Sequence, residues 1–246
     1  MTIHLYQNHL LSEWPRAAGA PCVPRGGVFE ATPHEHAQIQ RRASCRRQLT
    51  RLPIEDTTTD GWWHATVYLI GGGPSVQALD ARDLMQLRAY GRVIAINESV
   101  FHVPSDAVFT ADLTWWHRRA LRLTATFHGH SIVAIPRTHP HMVPSTATSV
   151  VYRRGDFNSG LEALYWAASH RPPRIVLVGY DLTERGWWHL GYPWMQRDPS
   201  VHYAEWIAQF HRAGDELAAD GQCVVNVNLD SGIRCFPFRT LTDVMR

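Results

Sequence analysis

From residue 65 onward, short apolar runs alternate with longer amphipathic stretches. The runs "TVYLI" (66–70), "RVIAIN" (92–97), "DAVFTAD" (106–112) and "SIVAIP" (131–136) are rich in aliphatic and β-branched side chains. So are "PRIVLVGYD" (173–181) and "CVVNVN" (223–228). Runs of this length bounded by polar or glycine residues predict buried strands. "TSVVYRR" (148–154) predicts one more short strand. Three intervening stretches carry helical periodicity: "SVQALDARDLMQLRAYG" (75–91) with its glycine stop, "NSGLEALYWAASH" (158–170) with cap-type residues at its start, and the long "SVHYAEWIAQFHRAGDELAADG" (200–221). Strands alternating with helices predict an α/β fold: a mostly parallel, Rossmann-like doubly wound sheet with helices on both faces. The tripeptide Trp-Trp-His recurs at 62–64, 115–117 and 187–189, but its unequal spacing argues against duplication.

Residues 1–62 break this pattern. They hold Pro15, Pro21, Pro24 and Pro33 and no long apolar run. The reading is an N-terminal arm, extended, with one short basic helix around 34–50, ahead of a nucleotide-binding domain over 63–246. Arg41, Arg42, Arg46, Arg47 and Arg51 meet no acid between them. Such a run is either a solvated helix face, a patch for phosphate or DNA, or a contact with an acidic surface of the same chain.

Composition narrows the function classes. A chain of 246 residues suits one α/β domain with an appendage. No apolar run reaches the length of a membrane span, and no basic-then-apolar leader opens the chain, so a cytoplasmic protein without a membrane partner is expected. Cys22, Cys45, Cys223 and Cys235 lack metal-type spacing and read as free thiols in a reducing compartment. The net charge of +2 does not by itself advertise nucleic-acid binding. Every basic side chain other than histidine is arginine, which excludes the lysine-dependent P-loop and any catalytic lysine.

The candidate chemistry lies where the predicted strands end. Gly71, Gly72, Gly73, Pro74 and Ser75 join the first predicted strand to the first helix. A glycine turn there is either a cradle whose amides meet a phosphate or simply a tight corner. Other strand ends add Asn97, Asp112 and the Gly179-Tyr180-Asp181 run, while Asn158, Ser159 and Gly160 open a helix. Ligands of parallel sheets bind beyond the carboxyl ends of the strands, so these clusters point to one crevice. Trp115, Trp116, Trp187, Trp188, Tyr192 and Trp194 are read as loop residues at that face, either stacking on a sugar or base or forming a satellite core. The stretch 182–200 reads as a lid-length loop.

The ordered series "IGGGPS", "AIN", "TAD…WW", "NSG", "VLVGYD" and "NVNLDSGIRCFP" resembles a family of nucleotide-using α/β proteins. That family includes 6-hydroxymethylpterin pyrophosphokinase-like proteins and tailed-phage proteins, and the order is similar to that of bacterial CMP-sialic-acid sialyltransferases. The resemblance spans about residues 65–238. It implies that Gly71, Gly73, Pro74 and Ser75 contact nucleotide phosphates, and that Asn97, Asn158 and Ser159 touch nucleotide or donor sugar. It also implies that Asp112 and Asp181 line the cleft, and that His202 takes the place of the sialyltransferase general base. Gly72 stands where those enzymes carry asparagine. "WWHLGYP" keeps His189 and Gly191 in place of the phage His-x-His-Gly run.

Two chemistries and one non-enzymatic reading follow. A glycosyltransferase-like enzyme would use a nucleotide-sugar donor and a hydroxyl acceptor on glycan or DNA. His202 is then the leading base and His189 the second. Arg185, Arg197, Tyr192 or Tyr203 would offset charge on the leaving group. An ATP-dependent pyrophosphokinase would instead hold Mg²⁺ on Asp112 and Asp181. A phage-type binding or structural protein would keep the fold without the chemistry. The base, sugar, acceptor and any homo-oligomer stay open.

Overall fold

The computed structural model describes residues 4–8, 28–31 and 49–52, and then 61–136, 147–155, 158–183 and 202–245. Strands β1 (His4–Asn8), β2 (Val28–Ala31) and β3 (Leu49–Leu52) form a small antiparallel sheet in the order β2-β1-β3. The expected extended arm with a helix over 34–50 is corrected here: Leu49 and Thr50 belong to β3, paired with Asn8 and Gln7 of β1. The rest of that expected helix, with Arg41, Arg42, Arg46 and Arg47, lies outside the described residues. Arg51 sits in β3 opposite Tyr6.

The main sheet comprises β4 (Thr66–Ile70), β5 (Gly91–Ile96), β6 (Ala107–Thr110), β7 (His130–Ile135), β8 (Ser149–Tyr152), β9 (Ile175–Val178) and β10 (Val224–Asn226). Its order is β10-β9-β4-β5-β6-β7-β8, and every pairing is parallel. Helices α1 (Ala81–Tyr90), α2 (Leu113–Thr126), α3 (Ser159–Ser169), α4 (Tyr203–Ala219) and α5 (Leu241–Val244) cover it. Side chains alternate across the strands as a period of two requires. Val67, Leu69, Ile94, Ile96, Phe109 and Leu177 pack with Leu161, Leu164 and Phe210 of α3 and α4. Tyr68, Ile70, Val93, Val176 and Val178 pack with α1 and α5 on the opposite face. Ala95, Val108 and Val133 pack with α2. Both faces are dry, which is why the strands read as nearly continuous apolar runs.

From β4 to β8 the chain steps outward in one direction. It then returns to place β9 on the other side of β4 and β10 beyond it. The β4–β9 boundary is therefore the switch point of the sheet, and its carboxyl edge is where doubly wound folds open a crevice.

Two local readings are corrected. The helix read over 75–91 is split: Pro74–Ala78 forms a 3-10 turn, and α1 begins only after Asp80, whose carboxylate accepts from the Arg82 amide at 2.7 Å. Trp115 and Trp116 are not loop residues but lie on α2, both fully buried. Asp112 starts that helix by accepting from the Trp115 amide at 3.0 Å. The indole of Trp115 donates to Glu98, which also holds Arg119 through two contacts of 2.9 Å. No described helix is long and apolar enough to cross a membrane.

Candidate functional site

The glycine turn after β4 packs directly against the turn after β9. The Gly71 amide donates to Val178 O at 2.7 Å, and the Gly73 amide to Gly179 O at 2.8 Å. Ser99 Oγ donates to Gly71 O at 2.9 Å, lacing in the turn after β5. A Cβ on Gly71 would lie 2.5 Å from Gly179 O, and one on Gly73 2.5 Å from the Asp181 carboxyl carbon. Two strand ends approach this closely only where side chains are missing.

Asp181 is the keystone of that contact. Its carboxylate accepts from the Ser75 amide at 2.7 Å, from Ser75 Oγ at 2.5 Å and from Asn228 Nδ2 at 2.8 Å. The segment after β10 braces the same turn: Ser231 Oγ donates to Tyr180 O at 2.6 Å, and the Gly232 amide to Asp181 O at 2.7 Å. The phosphate cradle expected of residues 71–75 is thereby corrected. The amides of Gly71, Gly73 and Ser75 are spent inside the protein, Pro74 has none, and Gly72 alone keeps its amide clear of these bonds.

Beside this corner lies a cavity of about 110 Å³. The glycine turn, Asn97, Asn158-Ser159-Gly160 and Gly179–Leu182 bound it, and Tyr203, Trp206 and Phe210 of α4 close it. Backbone strain gathers at its rim: Asn97, Gly179 and Leu182 all have left-handed φ, at 52°, 71° and 46°. Such conformations cost energy at non-glycine residues and cluster at functional sites. Two polar atoms at the cavity are buried without a partner, the acceptor Asn97 Oδ1 and the donor Asn158 Nδ2. The Asn158 amide orientation is set because its Oδ1 accepts from the Leu161 amide at 3.1 Å, capping α3. Ser159 Oγ accepts from the Ala111 amide at 3.0 Å and ties the head of α3 to the end of β6. Tyr180, a buried residue, donates to Gly160 O at 3.1 Å, and burial pushes its phenol up. The first amides of α3, those of Ser159 and Gly160, have no intrahelical acceptor and carry the positive end of the helix dipole.

Eight of the sequence-derived candidates therefore meet around one cavity: Gly71, Gly72, Gly73, Asn97, Asn158, Ser159, Gly160 and Asp181. Asp112 does not line it and serves as the cap of α2. Among the described residues no group of three or more His, Cys, Asp or Glu is placed to hold a metal ion. His202 is exposed at the head of α4, its ring 5.7 Å from that of Trp206 on the cavity wall. His189, Arg185, Tyr192, Arg197, Trp187, Trp188 and Trp194 lie outside the described residues. Ser99 escaped the sequence reading, and Asn228 and Ser231 entered it only within the run "NVNLDSGIRCFP", without a role of their own. The signal for the last two was present, since both follow the final strand as polar residues follow the others.

No family model and no curated protein matches this chain. Among solved structures, the fold is similar to the MAf glycosyltransferase from Magnetospirillum magneticum AMB-1, with 16% sequence identity and a TM-score of 0.36. The likeness covers 55% of this chain and 24% of that one, so the chain spans about a quarter of that enzyme's length.

Proposed function

We propose that this chain is a nucleotide-dependent transferase of glycosyltransferase-like type, moving a sugar from a nucleotide donor to a hydroxyl on a glycan or on DNA. The observation that carries the proposal is the pair of unsatisfied buried atoms, Asn97 Oδ1 and Asn158 Nδ2, at the switch-point cavity. A sugar or ribose hydroxyl donates and accepts at once, so it could serve an acceptor such as Asn97 Oδ1 or a donor such as Asn158 Nδ2. Leaving either unmet in a buried site costs about 1–3 kcal/mol. The volume of about 110 Å³ takes one end of a ligand rather than a whole nucleotide, whose usual pocket is about 300 Å³ or more.

In this reading the donor phosphate lies over the head of α3, facing the Ser159 and Gly160 amides, and not in the glycine turn. The acceptor hydroxyl oxygen attacks the anomeric carbon. Its proton passes to the imidazole of His202, and the bond from that carbon to the phosphate oxygen breaks. The nucleotide leaves as an anion, whose new charge the α3 amides stabilise. A pyrophosphokinase would need free carboxylates for Mg²⁺. Asp181 accepts on both carboxylate oxygens and Asp112 does not line the cavity, which weighs against that alternative.

A thermal-shift screen of CMP, UMP, UDP, GDP and ATP, with and without Mg²⁺, tests the proposal. Stabilisation by a pyrimidine or guanine nucleotide without metal supports it. Stabilisation by ATP only with Mg²⁺ turns the reading to the kinase. No response to any nucleotide favours a binding protein that keeps the fold alone.

A further inference from the structure

The edge strand β10 is only half covered. Its inner side is fixed by two bonds: the Ile175 amide donates to Cys223 O at 2.8 Å, and the Val227 amide to Leu177 O at 3.1 Å. Residues 223 and 227 thus point their backbone groups toward β9. Asn226 points the other way: its amide donates to Pro237 O at 3.0 Å, and its carbonyl accepts from the Arg239 amide at 3.1 Å. This is a parallel bridge between Asn226 and Phe238. By the period of two, Val224 also turns its N–H and C=O away from β9. Val224 is 5% exposed and lines a cavity, and among the described residues its N–H and C=O have no partner. Such orphaned backbone pairs are rare in folded proteins.

Beside Val224 and the 235–237 segment lies a cavity of about 560 Å³. Val224 and Val225 form one wall, and Leu217, Phe236 and Val244 add apolar surface. Gln222, also on the lining, holds a buried Oε1 with no partner. The charged side chains are Arg174, Arg239 and Asp243. The Asp243 carboxylate is engaged by Thr240 in the capping box of α5, with Thr240 Oγ1 at 2.6 Å. Two arginines against one carboxylate leave the cavity lining net positive.

We infer that this cleft is a docking site for a short extended peptide bearing a carboxylate, which pairs with the open half of β10 by strand addition. A backbone N–H and C=O on one residue of an edge strand match the donor and acceptor of one residue of an incoming strand. The chain's own 237–239 segment already pairs with the upper half of the edge in this way. Apolar side chains on one face of the peptide meet Leu217, Phe236 and Val244, and its carboxylate meets Arg174 and Arg239. The volume suits roughly three residues, within the usual range for ligand pockets.

Amide hydrogen exchange and fluorescence anisotropy on the full chain test this. The probe is a blocked six-residue peptide of alternating valine and glutamate, and its control has lysine for glutamate. In the free protein the Val224 amide exchanges faster than that of Val225, which faces β9. Saturating glutamate peptide slows exchange at Val224, and the lysine peptide binds at least about tenfold more weakly. Val224→Pro removes the outward N–H at an edge position that tolerates proline, and should lower affinity by about tenfold without loss of fold. Arg239→Glu, at an exposed side chain, should weaken the glutamate peptide and favour the lysine one, which keeps the test open should the proline variant not fold. A Val224 amide already protected in the free protein, no slowing at saturation, or equal binding of the two peptides overturns the inference.

Discussion

Ser75 holds Asp181 twice, with its amide on Oδ2 at 2.7 Å and its hydroxyl on Oδ1 at 2.5 Å, across 106 residues of sequence. Asn228 supplies a third donor. Asp181 is 3% exposed, so water cannot replace these bonds. Hydrogen bonds to a charged group contribute about 1.5–3 kcal/mol each, with strong overlap when they share one acceptor. Asp181→Ala should therefore cost about 2–4 kcal/mol of stability, read from urea unfolding. Asp181→Asn should cost nearly as much, because an amide NH₂ must face either the Ser75 amide or the donors on Oδ1. An isostere as stable as the parent would mean that the carboxylate charge plays no part in locking the corner.

Gly73 of the corner should respond unlike Gly61, which lies ahead of the other end of β4. Gly73→Ala puts a methyl 2.5 Å from the Asp181 carboxyl carbon and 2.6 Å from Gly179 O. At Gly61 nothing lies within 4 Å, and φ is −82°. Overpacking of this severity costs about 1–3 kcal/mol or more. Gly61→Ala should stay within about 0.5 kcal/mol of the parent. Thermal melting of both variants decides whether the turn is glycine-rich for packing between β4 and β9.

That distinction marks what the sequence could and could not deliver. The strand runs and the caps Asn158 and Asp112 encode local physics: burial on both faces and side-chain oxygens that meet helix amides. They were legible for β4 to β10, α3 and α4. The helix α2 carries the same signals, with Trp115, Trp116 and Leu123 at helical spacing behind Asp112, but the two tryptophans read as loop residues on a ligand face instead. The partners of the glycine turn were not legible. A Gly-Gly-Gly-Pro-Ser string looks the same whether its amides face a phosphate or the backbone of a strand more than 100 residues away. Only the strand order, which seats β9 beside β4, decides that. The β1–β3 sheet was missed because its strands have only four or five residues and no clear alternation.

Stability should decline in alkaline solution in a defined order. Burial raises the Cys235 thiol from the ordinary 9.0 to about 11, with its sulfur donating to Phe210 O. The unfolded chain releases this proton first. Between about pH 9 and pH 11 the unfolded state binds fewer protons than the folded one, and stability falls as pH rises. Tyr68 and Tyr165, raised by burial from 10.0 to about 12, extend the loss over the next interval. Cys235→Ala should flatten the first part of the melting-temperature profile and leave the second. Exposed Cys223 should alkylate with iodoacetamide in the native protein at pH 8, with Cys235 protected until unfolding.

Asn158 separates capping from ligand contact. Its Oδ1 caps α3, and its Nδ2 is the unpaired donor at the cavity. Asn158→Asp keeps the capping oxygen and adds a negative charge at a helix start, so the fold should hold or gain slightly. The same change swaps the free donor for an anion, and nucleotide binding should weaken by at least about tenfold. Asn158→Ala should lose both, with about 0.5–2 kcal/mol of stability. Calorimetric titration of both variants with whichever nucleotide stabilises the parent gives the comparison, and equal affinity in Asn158→Asp would remove this side chain from the ligand shell.

His202 offers the sharpest division between binding and chemistry. It precedes α4 without a side-chain cap bond, is exposed, and stacks on Trp206 at the cavity wall. No packing depends on its ring nitrogens, so His202→Ala should leave the melting temperature nearly unchanged. As the base for the acceptor hydroxyl, its removal should lower turnover by about 10²–10⁴. Nucleotide affinity should survive, because the proposed phosphate and hydroxyl contacts come from α3 and Asn97. His202→Gln keeps the volume and a hydrogen-bonding amide but cannot take a proton near neutral pH, and should be as slow as the alanine variant. Turnover retained in either variant would assign the proton transfer to another group. Lost nucleotide binding would make His202 part of the donor pocket instead.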